Sequence, residues 1–228
     1  MPTPTGNENI NGALITGQNI SWDETHGYNR FQGTRELNPD VDCSYFVGYC
    51  LNQNGFNVSP GWYTGSMITD LSNYQGFAHY IWDSSFVWQS GDIAVYDEGG
   101  GAHGHTFFYA ENVLGYTSQT DPTIITLARA RIEASGPRGH YINNDPNYPV
   151  PGDQDNGYGV HDEVWVHPFS DPDASHVWHI FRWNGATPPH PILTAEKIGI
   201  ISKRKRVVVE NPNLRGGWKD FYLIRKRK

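Results

Sequence analysis

The chain has 228 residues, of which 37% are hydrophobic and 14% aromatic. This composition supplies a core for one full-sized domain and a short additional segment, as in globular, water-soluble proteins. No apolar run approaches the roughly 18 residues of a membrane span, and residues 1–8 have neither the basic nor the apolar region of an export signal. We therefore expect neither a membrane span nor an export signal.

Charge divides the chain into two parts. Residues 1–185 contain 21 acidic residues against six arginines and no lysine, whereas residues 186–228 contain eleven basic residues against three acidic ones. The proline-rich segment 186–191 lies where the sign changes, and such segments form stiff linkers. The sequence therefore predicts a domain over residues 1–185 and a separate basic extension over residues 186–228, with two short strands near 207–209 and 221–224.

The predicted elements of the first part are helices followed by strands. The first forty residues are polar and rich in Asn, Gly and Thr, which favours irregular surface chain. Helices are predicted over 44–54 and 66–71. Strands are predicted over 91–96, 105–109, 124–132, 163–166 and 177–183. This order indicates an α+β fold and not alternating βαβ units.

Cys43 lies at the predicted start of the first helix. Asp42 is suited to cap that helix and Gly55 to end it. Amides at a helix start and the helix dipole stabilise a thiolate over a thiol, so Cys43 is a candidate nucleophile, and the alternative is an inert core cysteine. Cys50 is expected to pack in the core, about 10 Å from Cys43 by helical rise and too far for an unstrained disulfide.

A strand that opens at His105 puts residues 105, 107 and 109 on one face, which we expect to look towards the helix carrying Cys43. A third polar group is needed to orient the imidazole. Arg129, Arg131 and Glu133 share one face of the next strand. Because a carboxylate is the ordinary partner of an imidazole N–H, we expect Glu133 to supply this group.

Six short motifs follow one another along residues 20–183. They are His26-Gly27-Tyr28, Asp42-Cys43-Ser44, Ser90-Gly91-Asp92-Ile93, Gly104-His105-Thr106, Ala130-Arg131-Ile132-Glu133 and Gly152-Asp153-Gln154. In this order they resemble the phage-type peptidoglycan hydrolases of the NlpC/p60 superfamily. The resemblance implies a papain-like fold, in which a helix carrying the cysteine packs on an antiparallel sheet carrying the histidine.

The resemblance also implies roles for single residues. Cys43 is expected to be the nucleophile and His105 the base, without a metal or other cofactor. The superfamily's third polar residue falls on Glu133 or on Arg129, depending on where a gap is placed after Tyr109. The residues expected to line the substrate site are Tyr28, Asp42, Ser44, Asp153 and Gln154.

Members of this superfamily cut amide bonds in bacterial cell-wall peptides. We therefore expect a bacteriophage or prophage peptidoglycan hydrolase, either an endopeptidase or an N-acetylmuramoyl-L-alanine amidase. It would be synthesised in the host cytoplasm and act on the wall after release as an endolysin, or be carried in the virion tail. The basic extension is expected to bind anionic wall polymers or phage tail proteins.

Two alternatives belong to other classes of protein. One is a zinc peptidase of the same polymer, with His79, Asp83, His103 and His105 as the metal site. The other is a non-catalytic phage tail or wall-binding protein built on a degenerate hydrolase fold.

Overall fold

The computed structural model describes residues 4–22, 41–99, 104–116, 124–135, 163–185, 198–201, 206–209 and 219–222. Within these ranges the helices are α1 (Ile10–Trp22), α2 (Cys43–Gln53) and α3 (Thr64–Asn73). The strands of the main sheet are β1 (Phe77–Ile81), β2 (Ile93–Asp97), β3 (Gly104–Tyr116), β4 (Ile124–Ser135), β5 (Glu163–Pro168) and β6 (His179–Trp183). A second sheet contains β7 (Ile198–Ile201), β8 (Arg206–Val209) and β9 (Lys219–Tyr222).

The six strands of the main sheet lie in the order β1-β6-β2-β3-β4-β5, and all neighbours are antiparallel. Helices followed by an antiparallel sheet confirm the predicted α+β class. In the β3–β4 pair, Tyr109 of β3 lies opposite Arg131 of β4. Because side chains alternate along a strand, His105 and Glu133 share the face of this odd-numbered pair.

The two faces of the main sheet are covered differently. The helices pack on the face that carries Phe108 of β3 and Ile132 of β4, where Phe46 of α2 meets Phe108 with ring centroids 6.5 Å apart. The opposite face carries a second buried cluster that is largely aromatic and includes Phe107, Tyr109 and Trp88. The expectation that residues 107 and 109 face the helix was therefore wrong, since α2 packs on the opposite side of β3.

Both ends of α2 follow the prediction from sequence. Asp42 has extended backbone, and its Oδ1 accepts from the backbone N–H of Tyr45 at 2.7 Å. At the other end Gly55 has φ +86°, and the N–H groups of Gly55 and Phe56 return to the carbonyls of Asn52 and Leu51 at 3.3 and 3.2 Å. This pair of bonds around a left-handed glycine is a Schellman ending. At the other end, the cap at Asp42 makes Cys43 the first helical residue.

Helix α1 lies where irregular chain was predicted. Its glycines mark close packing and not a loop: a Cβ at Gly17 would lie 3.1 Å from side-chain atoms of Ile132 and Phe46, and one at Gly12 would collide with Asn54. Strand β1 was also not predicted. It pairs with β6 at the edge of the main sheet.

The segment Ser90–Ile93 anchors the start of β2. Asp92 is 1% exposed, and its carboxylate accepts from Arg182 of β6 at 2.7 and 2.6 Å and from the backbone N–H of Gln89 at 2.8 Å. These bonds satisfy a buried charge and join β2 to β6. The motif Ser90–Ile93 therefore has a structural role in the sheet.

The second sheet lies within the basic extension. Strand β8 covers the predicted segment 207–209, and β9 overlaps the predicted segment 221–224 at residues 221 and 222. Strand β7, which was not predicted, pairs with β8. No helix in the described part of the chain is long and apolar enough to cross a membrane.

Candidate active site

Cys43 begins α2, and its side chain meets His105 near the start of β3. The residue is 5% exposed. The thiol lies close enough to His105 that its hydrogen bonding and its charge both raise the pKa of the imidazole. The helix start and the strand start thus bring together the two groups that the sequence predicted as nucleophile and base.

Glu133 is the third member of this group. Its Oε2 accepts from Nε2 of His105 at 2.9 Å, and the side chains of His105 and Glu133 are 19% and 6% exposed. Since Nε2 donates to the carboxylate, the other ring nitrogen, Nδ1, is the one left to face the thiol. Cys43, His105 and Glu133 therefore form a continuous thiol–imidazole–carboxylate chain.

The charges and hydrogen bonds around His105 favour a protonated imidazole. Burial lowers the pKa of His105, but the charge of Glu133 and the bonds to Glu133 and Cys43 outweigh burial and raise the pKa to about 10. Burial raises the pKa of Glu133, yet the charges of His105 and His167 hold it well below its usual range. A stable imidazolium beside a thiol at a helix start is the condition that favours an imidazolium–thiolate pair.

The choice between Glu133 and Arg129 is decided by contact. Arg129 donates through Nε to the hydroxyl of Tyr109 at 3.1 Å, and its guanidinium lies 4.5 Å from the ring centre of Phe169. Its half-exposed side chain also reaches Asp171 at 3.8 Å. Glu133, and not Arg129, is the residue that contacts the imidazole.

His167 of β5 was not predicted from sequence. Its Nε2 lies 2.9 Å from Oε1 of Glu133, the oxygen that His105 does not use. Register explains its place, because His167 lies opposite Arg131 in the β4–β5 pair and Trp165 lies opposite Glu133. Because β4 ends at Ser135 and β5 begins only at Glu163, no local sequence pattern indicates this pairing.

Asp42 and Ser44 stabilise the start of α2. The Ser44 hydroxyl lies 2.9 Å from Oδ1 of Asp42 and 2.7 Å from the carbonyl of Trp62, and Ser44 is 3% exposed. These contacts fix the turn that carries Cys43. A direct contact of Asp42 or Ser44 with substrate stays a prediction.

Other predicted site residues lie outside the described residues. They are Tyr28, His103, Asp153 and Gln154. Their predicted roles stay predictions.

The zinc set proposed as an alternative does not come together. His79 lies on β1 and His105 on β3, with β6 and β2 between them, a separation of about 14 Å at the usual strand spacing. His79 instead lies 2.8 Å from Nδ1 of His179. Among the described residues no three His, Cys, Asp or Glu side chains are grouped as a metal site would require.

The geometry is suited to attack by sulfur on a carbonyl carbon. The thiol and the imidazole supply a nucleophile and a proton carrier, and the carboxylate holds the imidazole tautomer.

A comparison with protein-family models finds none that matches the chain, and a search of curated proteins finds no matching sequence.

Proposed function

We propose that this chain is a cysteine hydrolase that cuts an amide bond in the stem peptide of bacterial peptidoglycan. The observation that carries the proposal is the contact of Cys43 with His105, which Glu133 holds through a 2.9 Å hydrogen bond. The reaction class follows from this chemistry. The substrate class follows from the resemblance of residues 20–183 to the NlpC/p60 superfamily.

The proposed reaction begins with the Cys43 thiolate attacking the amide carbonyl carbon. The oxyanion of the tetrahedral intermediate is stabilised by amides at the start of α2, including the N–H of Cys43 itself. His105 then gives its proton to the leaving amine, and the carbon–nitrogen bond breaks to leave a thioester. Water attacks the thioester as His105 takes a proton, and the carboxylic acid leaves with regeneration of the imidazolium–thiolate pair.

The arrangement of elements agrees with a papain-like architecture. A helix that starts with the cysteine packs on an antiparallel sheet, and the second residue of a central strand is the histidine. We propose that the fold is of the NlpC type on this basis. The proposed setting is a phage endolysin or a lysin carried in the virion tail.

Purified cell walls provide the test. The parent and Cys50→Ala are expected to release muropeptides that mass spectrometry assigns to one cleaved amide bond, whereas Cys43→Ala releases none. Cys50→Ala is the matched control because Cys50 lies on the same helix but is fully buried in the hydrophobic core. Release of the same products by folded Cys43→Ala at the parental rate would refute the cysteine mechanism.

Inhibition separates this proposal from metal catalysis. Iodoacetamide is expected to stop the parent enzyme through Cys43, and a chelator to leave it active. Loss of activity with the chelator, together with retention after alkylation, would favour a metallopeptidase.

A further inference from the structure

The buried carboxylate of Glu133 uses both of its oxygens. Oε2 bonds to His105 at 2.9 Å and lies 3.8 Å from Nη1 of Arg131, while Oε1 bonds to Nε2 of His167 at 2.9 Å. The reaction described above requires only the bond to His105. The second imidazole on the same carboxylate therefore calls for its own explanation.

His167 is itself held firmly. Its ring stacks on Trp165 with centroids 3.8 Å apart and planes at 18°. The indole Nε1 of Trp165 donates to the hydroxyl of Ser135 at 2.9 Å, which fixes the surface on which His167 stacks. The imidazole side chain is 12% exposed. The ring is therefore packed on one face and hydrogen-bonded at its nitrogens.

His167 has a hydrogen-bond acceptor at each of its ring nitrogens. Nε2 faces the Glu133 carboxylate and Nδ1 faces the carbonyl of Pro168 at 3.0 Å. Both partners are acceptors only, so both bonds form when both ring nitrogens carry protons. In that state His167 donates one hydrogen bond to the Pro168 carbonyl of its own strand and one to the Glu133 carboxylate.

We propose that His167 is a positioning residue that fixes the carboxylate plane of Glu133, so that Oε2 meets the Nε2–H of His105. The final torsion of a glutamate side chain is soft and broadly populated. A bond to the second oxygen removes that freedom, and in a buried setting good alignment of the remaining bond contributes more than it would in water. Among the described residues, the titratable and cationic side chains that contact Glu133 are His105 on β3, Arg131 on β4 and His167 on β5.

This inference rests on the proposed cysteine chemistry but can be tested without any cell-wall substrate. Iodoacetamide forms a carbon–sulfur bond with the Cys43 thiolate and releases iodide, so the alkylation rate reports the imidazolium–thiolate pair directly. The experiment uses the full chain with Cys50→Ala, so that Cys43 is the only thiol, and measures the rate constant from pH 4 to pH 9.

Two substitutions of His167 separate positioning from packing. His167→Leu occupies a similar volume but donates no hydrogen bond, whereas His167→Gln keeps an N–H that can reach Glu133. We expect His167→Leu to raise the pH of half-maximal alkylation by about one unit, which makes alkylation about tenfold slower on the acid limb of the profile, and His167→Gln to stay near the parent. His79→Ala, on β1, is the matched histidine control and should change nothing.

Three results would overturn the proposal. They are a parental alkylation profile in folded His167→Leu, a loss in His167→Gln as large as that in His167→Leu, and an equal loss in His79→Ala. If the alkylation pattern is as expected and yet intact walls are not cut, the positioning role stands and the proposed substrate is wrong.

A measurement on the unsubstituted protein keeps the test valid should His167→Leu fail to fold. Nitrogen-15 NMR of histidine side chains is expected to show Nε2–H protons on both His105 and His167 that exchange slowly with water. Both signals should shift together in Glu133→Gln, since one carboxylate binds both rings. A His167 Nε2 that carries no proton, or that does not respond to Glu133→Gln, contradicts the proposal.

Discussion

Glu133 is the residue on which the electrostatics of the candidate site depend. A carboxylate that is only 4% exposed is costly unless it is paired and hydrogen-bonded. Here two imidazoles and one guanidinium surround it, at 2.9, 2.9 and 3.8 Å. The carboxylate in turn makes the imidazolium of His105 stable, which links the packing of β4 and β5 to the reactivity of a thiol on α2.

Glu133→Gln should lower kcat far more than Arg129→Gln. The glutamine amide carries no charge and can accept from only one of the two imidazoles, so the His105 imidazolium loses its main stabilising partner. We expect a loss of about two to four orders of magnitude, as for other triads that lose the orienting carboxylate. Arg129→Gln should change kcat little, because Arg129 contacts Tyr109 and Phe169. Steady-state turnover of folded variants gives the comparison, and the reverse ranking would contradict it.

The same pair should make stability depend on pH in a defined direction. His105 has its pKa raised from 6.5 to about 10, so its contribution is full below pH 6.5 and is lost as pH rises towards 10. Glu133 has its pKa lowered from 4.5, so its contribution is full above pH 4.5 and is lost as pH falls through the folded pKa. This pair therefore contributes most to the free energy of unfolding between about pH 4.5 and 6.5.

Urea unfolding of Cys43→Ala at a series of pH values is the measurement, because a thiol that exchanges its proton with the imidazole would mask the effect. The free energy of unfolding should fall as pH rises above 6.5. Adding Glu133→Gln should flatten that fall. An unchanged slope in the double variant would mean that Glu133 does not set the His105 pKa.

Helix α2 places the candidate nucleophile, Cys43, and its boundaries depend on local sequence signals. Its boundaries could be predicted because both depend on local signals, the capping carboxylate of Asp42 and the left-handed glycine at position 55. The contact of Glu133 with His105 could also be predicted, because a carboxylate is the usual partner of an imidazole. These features need no knowledge of distant contacts.

Features that depend on tertiary contact were missed. The glycines of α1 suggested a loop, but they allow close approach to α2 and β4. The prediction that Phe107 and Tyr109 face the helix was wrong, although His105 of the same strand does interact with Cys43, since alternation identifies two faces without saying which one is covered. His167 was missed because its role depends on the β4–β5 register, which no short-range pattern encodes.

Asp42→Ala should destabilise the protein by about 1 kcal/mol, within the range of about 0.5–2 kcal/mol found for lost helix caps. The substitution removes the acceptor for the Tyr45 N–H and a partner of the Ser44 hydroxyl. Asp42→Asn keeps a capping oxygen and should lose much less. The free energy of urea unfolding distinguishes the two variants. Equal losses would show that the charge, and not the cap bond, is what stabilises the helix start.

At the scale of the whole molecule, charge is separated along the chain. Residues 1–185 hold the candidate site and nearly all of the acidic residues, while residues 186–228 hold eleven of the seventeen basic ones. The second segment contributes the three strands of its own sheet. A basic segment of this composition attracts polyanions, and that attraction weakens as salt screens it.

Removal of residues 186–228 should therefore separate binding from chemistry. The shortened protein is expected to hydrolyse soluble wall fragments at near the parental rate, because Cys43, His105, Glu133 and His167 all precede the cut. Its retention on intact walls, or on a virion, should fall at low salt, where the parent is held by anionic wall polymers or acidic tail proteins.

The control for this last prediction keeps the extension but changes its charge. Replacing Lys203, Arg204, Lys205 and Arg206 with glutamine should weaken retention without altering hydrolysis of soluble fragments, and should reduce the dependence of retention on salt. Sedimentation with purified walls at several salt concentrations measures both variants. If the shortened chain fails to fold, the extension is part of the catalytic domain and the boundary at residues 186–191 is wrong. If retention is unchanged in both variants, the wall is bound by the acidic part of the chain, and the positive charge of the extension serves another partner.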